Sequence, residues 1–178
     1  MTTSHLTTQE LTKKALWRFL PGIPILAAMF FLPAGTIYYW QAWVYLAVLF
    51  TPMFLVVGYF IKHEPDLLER RLRMKEKEAK QNLIVTLSNL YILAAFLLPG
   101  FDRRYGWSDV PVPVVLLADL IVLLGYGLFV LVLKENRYAG RTIEVEAQQQ
   151  VITSGPYAWV RHPMYLAMLV MFIFSSLA

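Results

Sequence analysis

Cysteine is absent from all 178 residues, which removes disulfides and thiolate metal sites from consideration and leaves the redox compartment unreadable. Histidine is scarce. His5, His63 and His162 lie in separate segments, so an imidazole-rich metal centre is not expected either. Charge is also thin: Lys, Arg, Asp and Glu together make up 16% of the sequence, against 58% hydrophobic residues. That balance is too apolar for a soluble domain of this size. The formal net charge of +4 does not point to nucleic acid, because the bases flank apolar runs and are interleaved with acids. Membrane topology accounts for them better. There is no internal repeat and no low-complexity stretch.

What the protein has in quantity is apolar sequence in long runs. The length suits one domain, and residues 1–178 read as a single all-α, polytopic integral-membrane helical bundle of about five membrane-embedded helices. Thr7 and Glu10 have capping-box spacing in a polar N-terminal tail, where a short amphipathic helix or a frayed terminus are the two readings. The first span runs from Phe19 to Thr36, bent near its ends by Pro21, Pro24 and Pro33. Tyr38, Tyr39, Trp40 and Trp43 form an interfacial aromatic cluster before a second span, Ala42 to Ile61, which Pro52 is expected to kink. Residues 62–82 read as a charged interfacial loop with a helix starting near Pro65, on which Leu68 and Leu72 share a face. A third span, Leu83 to Leu98, leads to a loop from Pro99 to Pro113. The fourth span, Val114 to Leu133, matches a roughly 30 Å hydrocarbon core. A polar connection, Lys134 to Val160, then precedes a fifth span from Pro163.

Charge bias orients this arrangement. Arg103 and Arg104 are the two bases in the Pro99–Pro113 loop, and all the other Lys and Arg residues fall on the opposite side of the expected bundle. A cytoplasmic N-terminus in a multi-pass protein is therefore predicted, with residues 134–165 on the cytoplasmic side.

The stretch Thr153 to Tyr165, TSGPYAWVRHPMY, concentrates turn residues, aromatics, a cation, a histidine and a proline directly before an apolar run. Gly155 and Pro156 predict a turn. Pro163 suits the first turn of a helix, where its missing N–H costs nothing. Backbone N–H groups at that start favour an anionic group, and Tyr157, Trp159 and Tyr165 offer aromatic faces to a cation. A small zwitterion fits such a place. By residue type His162 is the candidate catalytic group, and capping the helix is its structural alternative.

The pattern GPYxxVRHPxY at the start of a late span resembles the isoprenylcysteine carboxyl methyltransferase family and its bacterial relatives. HEPDLLERR from His63, FDRRYGWSDVP from Phe101 and KENRYAGRTIEV from Lys134 are similar to segments at corresponding places, so the likeness runs from about Trp17 onward. It implies S-adenosyl-L-methionine as cofactor and a carboxylate of a lipophilic, prenylated or other small-molecule acceptor as methyl target, in a bacterial inner or cell membrane, with membrane lipids as surroundings and no nucleic-acid partner. It also implies cofactor contacts at His162, Pro163, Met164, Tyr165 and Tyr157, and at Gln149, Gln150, Val151 and Ile152. Glu146 stands near the place where relatives carry a glutamine. Family members continue past this span into a further membrane stretch and a polar tail, so the resemblance implies a polypeptide that is incomplete on its C-terminal side relative to the family.

A carboxylate acceptor needs alignment and exclusion of water rather than a base; an amine or thiol acceptor would need one, from His162 or Glu144. Sterol reductases share an RHPNY segment, so an NADPH-dependent membrane reductase is the first alternative, and a non-catalytic membrane interaction protein the second. Asp119, within the fourth span, is either functional or hydrogen-bonded inside the bundle. Gly125 and Gly127 form a GxG similar to one in lipid N-methyltransferases, or serve close helix packing. Asn136 and Arg137 either bind phosphate or anchor the helix end.

Overall fold

Thr7 and Glu10 do form a capping box: the Thr7 N–H donates to Glu10 Oε2 at 2.9 Å and the Glu10 N–H to Thr7 Oγ1 at 3.3 Å. The helix they start, α1 (Thr8–Phe19), opens an all-helical fold in the computed structural model, which describes residues 7–72, 82–136 and 152–177. After a break at Leu20 and Pro21 come α2 (Gly22–Ala34), α3 (Trp40–His63), α4 (Pro65–Leu72), α5 (Asn82–Tyr105), α6 (Val112–Glu135), a 3-10 turn (Gly155–Ala158) and α7 (Pro163–Ser175). No strand occurs among the described residues.

Three stretches are long and apolar enough to cross a membrane: Thr8–Ala34 taken through its break, Trp40–His63 and Val112–Glu135. The expected fifth span corresponds to α7, a shorter apolar helix. At about 1.5 Å rise per residue α7 reaches roughly two thirds of the way across a hydrocarbon core. The expected third span lies within α5, which continues beyond Leu98 through Pro99 to Tyr105, so the Pro99–Pro113 loop begins later than its prolines suggest. The extra turns are held by stacking of Phe101 on Tyr105, centroids 6.4 Å apart, and end at Gly106 with φ +63°. Asp102 then accepts from the Ser108 N–H at 2.7 Å and the Ser108 hydroxyl at 2.6 Å, tying the loop to the helix end. Pro52 sits inside α3 without ending it.

Two buried clusters organise the bundle. At one end Leu26, Phe30 and Ala34 of α2 meet Tyr39, Ala42, Tyr45 and Leu46, with the Phe30 ring edge-on to both Tyr45 and Phe96. There Gly100 lets α5 press against α2: a β-carbon on it would lie 2.5 Å from the Phe30 carbonyl oxygen and 3.0 Å from Pro33 Cβ. At the other end the buried faces of α1 (Leu11, Ala15) and α4 (Leu67, Leu68, Leu72) close over Phe60 and Leu133, with Phe129 and Met164 packed against them. Burial of each such leucine contributes on the order of 1.5–3 kcal/mol, which is why these short amphipathic helices dock on the bundle.

The helix pair α6 and α7 carries the rest. Gly125 is a contact point, since a β-carbon there would meet Met171 Cγ at 2.6 Å and the Ala167 carbonyl oxygen at 3.4 Å, whereas Gly127 faces open space. The GxG thus divides into one packing glycine and one without a packing partner. Tyr45 of α3 reaches α7, donating to Ser175 Oγ at 2.8 Å, and Ser175 in turn donates to the Met171 carbonyl at 2.6 Å.

Candidate functional site

The residues that set this site begin at the end of α6, where Glu135 closes the helix and Asn136 caps it with its N–H on the Val132 carbonyl. Glu135 accepts a hydrogen bond from Ser154 Oγ. Asn136 Nδ2 donates to the Tyr157 hydroxyl at 2.8 Å. Between these two clasps lies Gly155, in the left-handed region at φ +57°, its Cα so near Glu135 that a β-carbon would sit 3.1 Å from Glu135 Cδ. Only a residue without a β-carbon accepts both conditions readily. The turn closes with the Tyr157 N–H on the Ser154 carbonyl at 3.1 Å and the Val160 N–H on the Pro156 carbonyl at 3.2 Å.

The backbone then turns into α7 as the proline predicts: Pro163 is the first helical residue, fully buried, and His162 is the N-cap. His162 makes no side-chain cap hydrogen bond, so the helix-capping alternative for its imidazole is not the one adopted. Its ring lies exposed against Tyr165, centroids 5.6 Å apart and planes 38° apart. The Tyr165 N–H, expected to be open, donates to the His162 carbonyl at 3.1 Å; the helix start therefore offers fewer backbone donors than its sequence suggests.

The expected site residues sort by placement. His162, Tyr165 (68% exposed), Trp159 (91% exposed) and Arg161 are open to the surroundings. Tyr157 and Ile152 are half-buried, and the Tyr157 hydroxyl is engaged by Asn136. Pro163 is buried and Met164 packs against the cluster under α1 and α4, so these two form the wall behind the exposed pair. Glu144, Glu146, Gln149, Gln150, Val151 and Arg137 lie outside the described residues. Asn136 caps the end of α6, and its side chain holds the Tyr157 hydroxyl of the turn, a contact not expected for it.

Glu135 and Ser154 are not singled out by the sequence. A polar pair flanking the connection between two spans is the only signal there, and nothing in the spacing shows that the two ends of that connection meet.

Near Glu135, Lys134 Nζ lies 4.5 Å from the Tyr59 ring centroid, and Tyr59 stacks on His63 with centroids 4.4 Å apart. These contacts tie the ends of α3 and α6 together beside the turn. Among the described residues no three His, Cys, Asp or Glu side chains group as metal ligands. Asp119 is 4% exposed, and neither carboxylate oxygen has a hydrogen-bond partner among the described residues, so the bundle hydrogen bond expected for it is not found there. The helix rise puts it roughly 24 Å along α6 from Glu135, too far to act at His162.

Chemically, the site is an exposed imidazole–phenol pair at a rigid helix start, backed by an apolar wall and fixed to α6 through two side-chain bonds. Such a place can hold an aromatic or cationic ligand against rings and offers a proton carrier in His162. In comparison with known proteins, the model of the isoprenylcysteine carboxyl methyltransferase (ICMT) family matches residues 115–177, α6 through α7. No curated protein and no solved structure matches the sequence.

Proposed function

We propose, from the match of residues 115–177 to the isoprenylcysteine carboxyl methyltransferase family, that this protein is a membrane methyltransferase that uses S-adenosyl-L-methionine to methylate a carboxylate of a lipophilic acceptor. The family domain supports a membrane methyltransferase in general; the cofactor and the acceptor class are what the resemblance to that family implies, and the site's residues suit the cofactor. The observation that carries the inference is the exposed His162–Tyr165 pair at the Pro163 helix start, inside the matched segment and held there by the Glu135 and Asn136 clasps.

The residues present suit that cofactor, which supplies a methyl group on a sulfonium sulfur. Tyr165 and His162 present ring faces suited to a cationic sulfur and to an adenine plane. Arg161 beside them suits a carboxylate. Pro163 and Met164 form a wall that keeps water from one side. A carboxylate acceptor is already nucleophilic, so no base is required and His162 serves in binding and orientation. In this reading the N-terminus and the His162 end of the bundle face the cytoplasm, α5 and α7 are membrane-embedded alongside the three longer stretches, and the acceptor approaches from the lipid.

Calorimetry on the 178-residue protein in detergent, with S-adenosylhomocysteine and with NADPH, tests this reading. S-adenosylhomocysteine should bind, and His162→Ala and Tyr165→Ala should each weaken it by about 1–3 kcal/mol, the scale of a lost polar or aromatic contact. Tight NADPH binding without response to S-adenosylhomocysteine would move the protein to the reductase class.

A further inference from the structure

At the end of the bundle opposite His162, α2 and α5 diverge beside the Gly100 contact and leave an apolar groove of about 380 Å³. Ala28, Met29, Leu32 and Pro33 line one side and Leu97 and Phe101 the other; Arg104 closes the end. From Leu97 to Arg104 the groove is roughly 10 Å long at the helix rise. Its α2 wall belongs to a stretch long and apolar enough to cross a membrane, and, with α5 membrane-embedded as proposed above, its one charged lining group stands at the helix ends, where hydrocarbon meets headgroups.

The state of Arg104 decides what the groove takes. Its side chain is exposed, with the guanidinium lying against Gly35, 3.8 Å from where a β-carbon would stand, at the C-terminal cap of α2. The carbonyl end of α2 attracts a cation, which explains why the guanidinium rests there, but a helix end carries about half a charge and is no counter-ion. The carboxylate nearest in sequence, Asp102, is engaged at both oxygens by Ser108. No ion pair to Arg104 is present among the described residues. A guanidinium whose neighbours among the described residues are the α2 carbonyl end and the Tyr105 ring, its centroid 5.8 Å from Cζ, and that stands at an apolar groove suits an anionic head on an acyl tail.

We propose that the α2–α5 groove is a binding site for an anionic phospholipid, one acyl tail lying between Leu32 and Phe101 and the phosphate held by Arg104. A planar guanidinium suits a phosphate through two parallel N–H donors. Charge and shape here point to a structural lipid of the headgroup layer at that end. The site is distinct from the His162 site and does not depend on its chemistry.

Native mass spectrometry of the whole protein, delipidated in detergent and titrated with phosphatidylglycerol or phosphatidylcholine of the same acyl composition, tests the proposal. Wild type should retain phosphatidylglycerol several-fold over phosphatidylcholine, and inorganic phosphate at equal concentration should not displace it. Arg104→Gln should abolish the preference and Arg103→Gln keep it; Ala28→Phe, which fills the groove and leaves the charge, should lower binding of both lipids. Should Arg104→Gln fail to fold, Arg104→Lys and Ala28→Phe decide the matter: the lysine should keep the preference for the anionic lipid while the filled groove loses lipid. Equal retention of the two lipids by wild type, displacement by inorganic phosphate, or an unchanged preference in Arg104→Gln or undiminished lipid in Ala28→Phe would overturn it.

Discussion

Replacing Gly155 with alanine perturbs the turn at its most constrained point. Two costs add. The residue sits at φ +57°, where an L residue bearing a β-carbon is disfavoured by about 1–2 kcal/mol. The new methyl would stand 3.1 Å from Glu135 Cδ and Oε2 and 3.2 Å from Cγ. Glu135 is flexible and can withdraw by a few tenths of an ångström, but doing so strains its bond from Ser154 Oγ, worth roughly 0.5–1.5 kcal/mol. Together the turn loses on the order of 2–3 kcal/mol while the helices around it keep their packing. If the clasped turn is the binding-competent form, affinity for S-adenosylhomocysteine should fall roughly 30- to 150-fold. Circular dichroism in detergent should show unchanged helicity, and calorimetry should read the loss. Adding Glu135→Ala to Gly155→Ala removes the contact but not the dihedral cost, so it should recover less than the full loss. A folded Gly155→Ala protein that binds as wild type does would refute the coupling between clasp and site.

Asn136→Ala and Tyr157→Phe each remove one partner of the 2.8 Å hydrogen bond; a double-mutant cycle on ligand affinity or thermal stability should give a coupling energy of about 0.5–1.5 kcal/mol, and zero coupling would mean the bond is not formed in solution. Gly100→Ala should lower the thermal midpoint in detergent by an amount matching about 1–3 kcal/mol of overpacking, because the atoms it meets are the Phe30 carbonyl and the Ala34 backbone nitrogen. Gly127→Ala, with nothing within 4 Å, should be neutral or slightly stabilising, and equal losses at the two positions would contradict the packing described. Cysteines placed singly at Ser108 and Arg73 in this cysteine-free protein should label from outside intact cells at residue 108 and not at 73; the reverse pattern would invert the bundle.

Features that depend on neighbours along the sequence are legible in it. The Thr7–Glu10 capping box, the helix start at Pro163 and the burial of Leu68 and Leu72 on one face of α4 all follow from spacing. Helix α5 is longer than its sequence predicts because Pro99 resembles a terminator; within the helix its carbonyl accepts from the Tyr39 hydroxyl at 3.4 Å, a tertiary contact no local pattern contains. The same holds for the two glycines of α6, alike in their apolar surroundings yet facing Met171 in one case and open space in the other. At the site, His162 and Tyr165 stand out by residue type alone. Glu135 and Ser154 do not, since their pairing requires the ends of a long polar connection to meet, and periodicity says nothing about where a loop returns.

The cluster that seats α1 and α4 on the bundle joins Leu11 and Ala15 to Leu133 of α6, with Met164 of α7 packed against it. During synthesis α1 therefore leaves the ribosome well before α6 and α7 supply those two residues. Until then its apolar face lacks part of its protein cover. Closing such a sequence-distant contact is intrinsically slow. Met164, one of the two residues of the wall behind His162, thus reaches its partners on α1 only as the last helix joins the first.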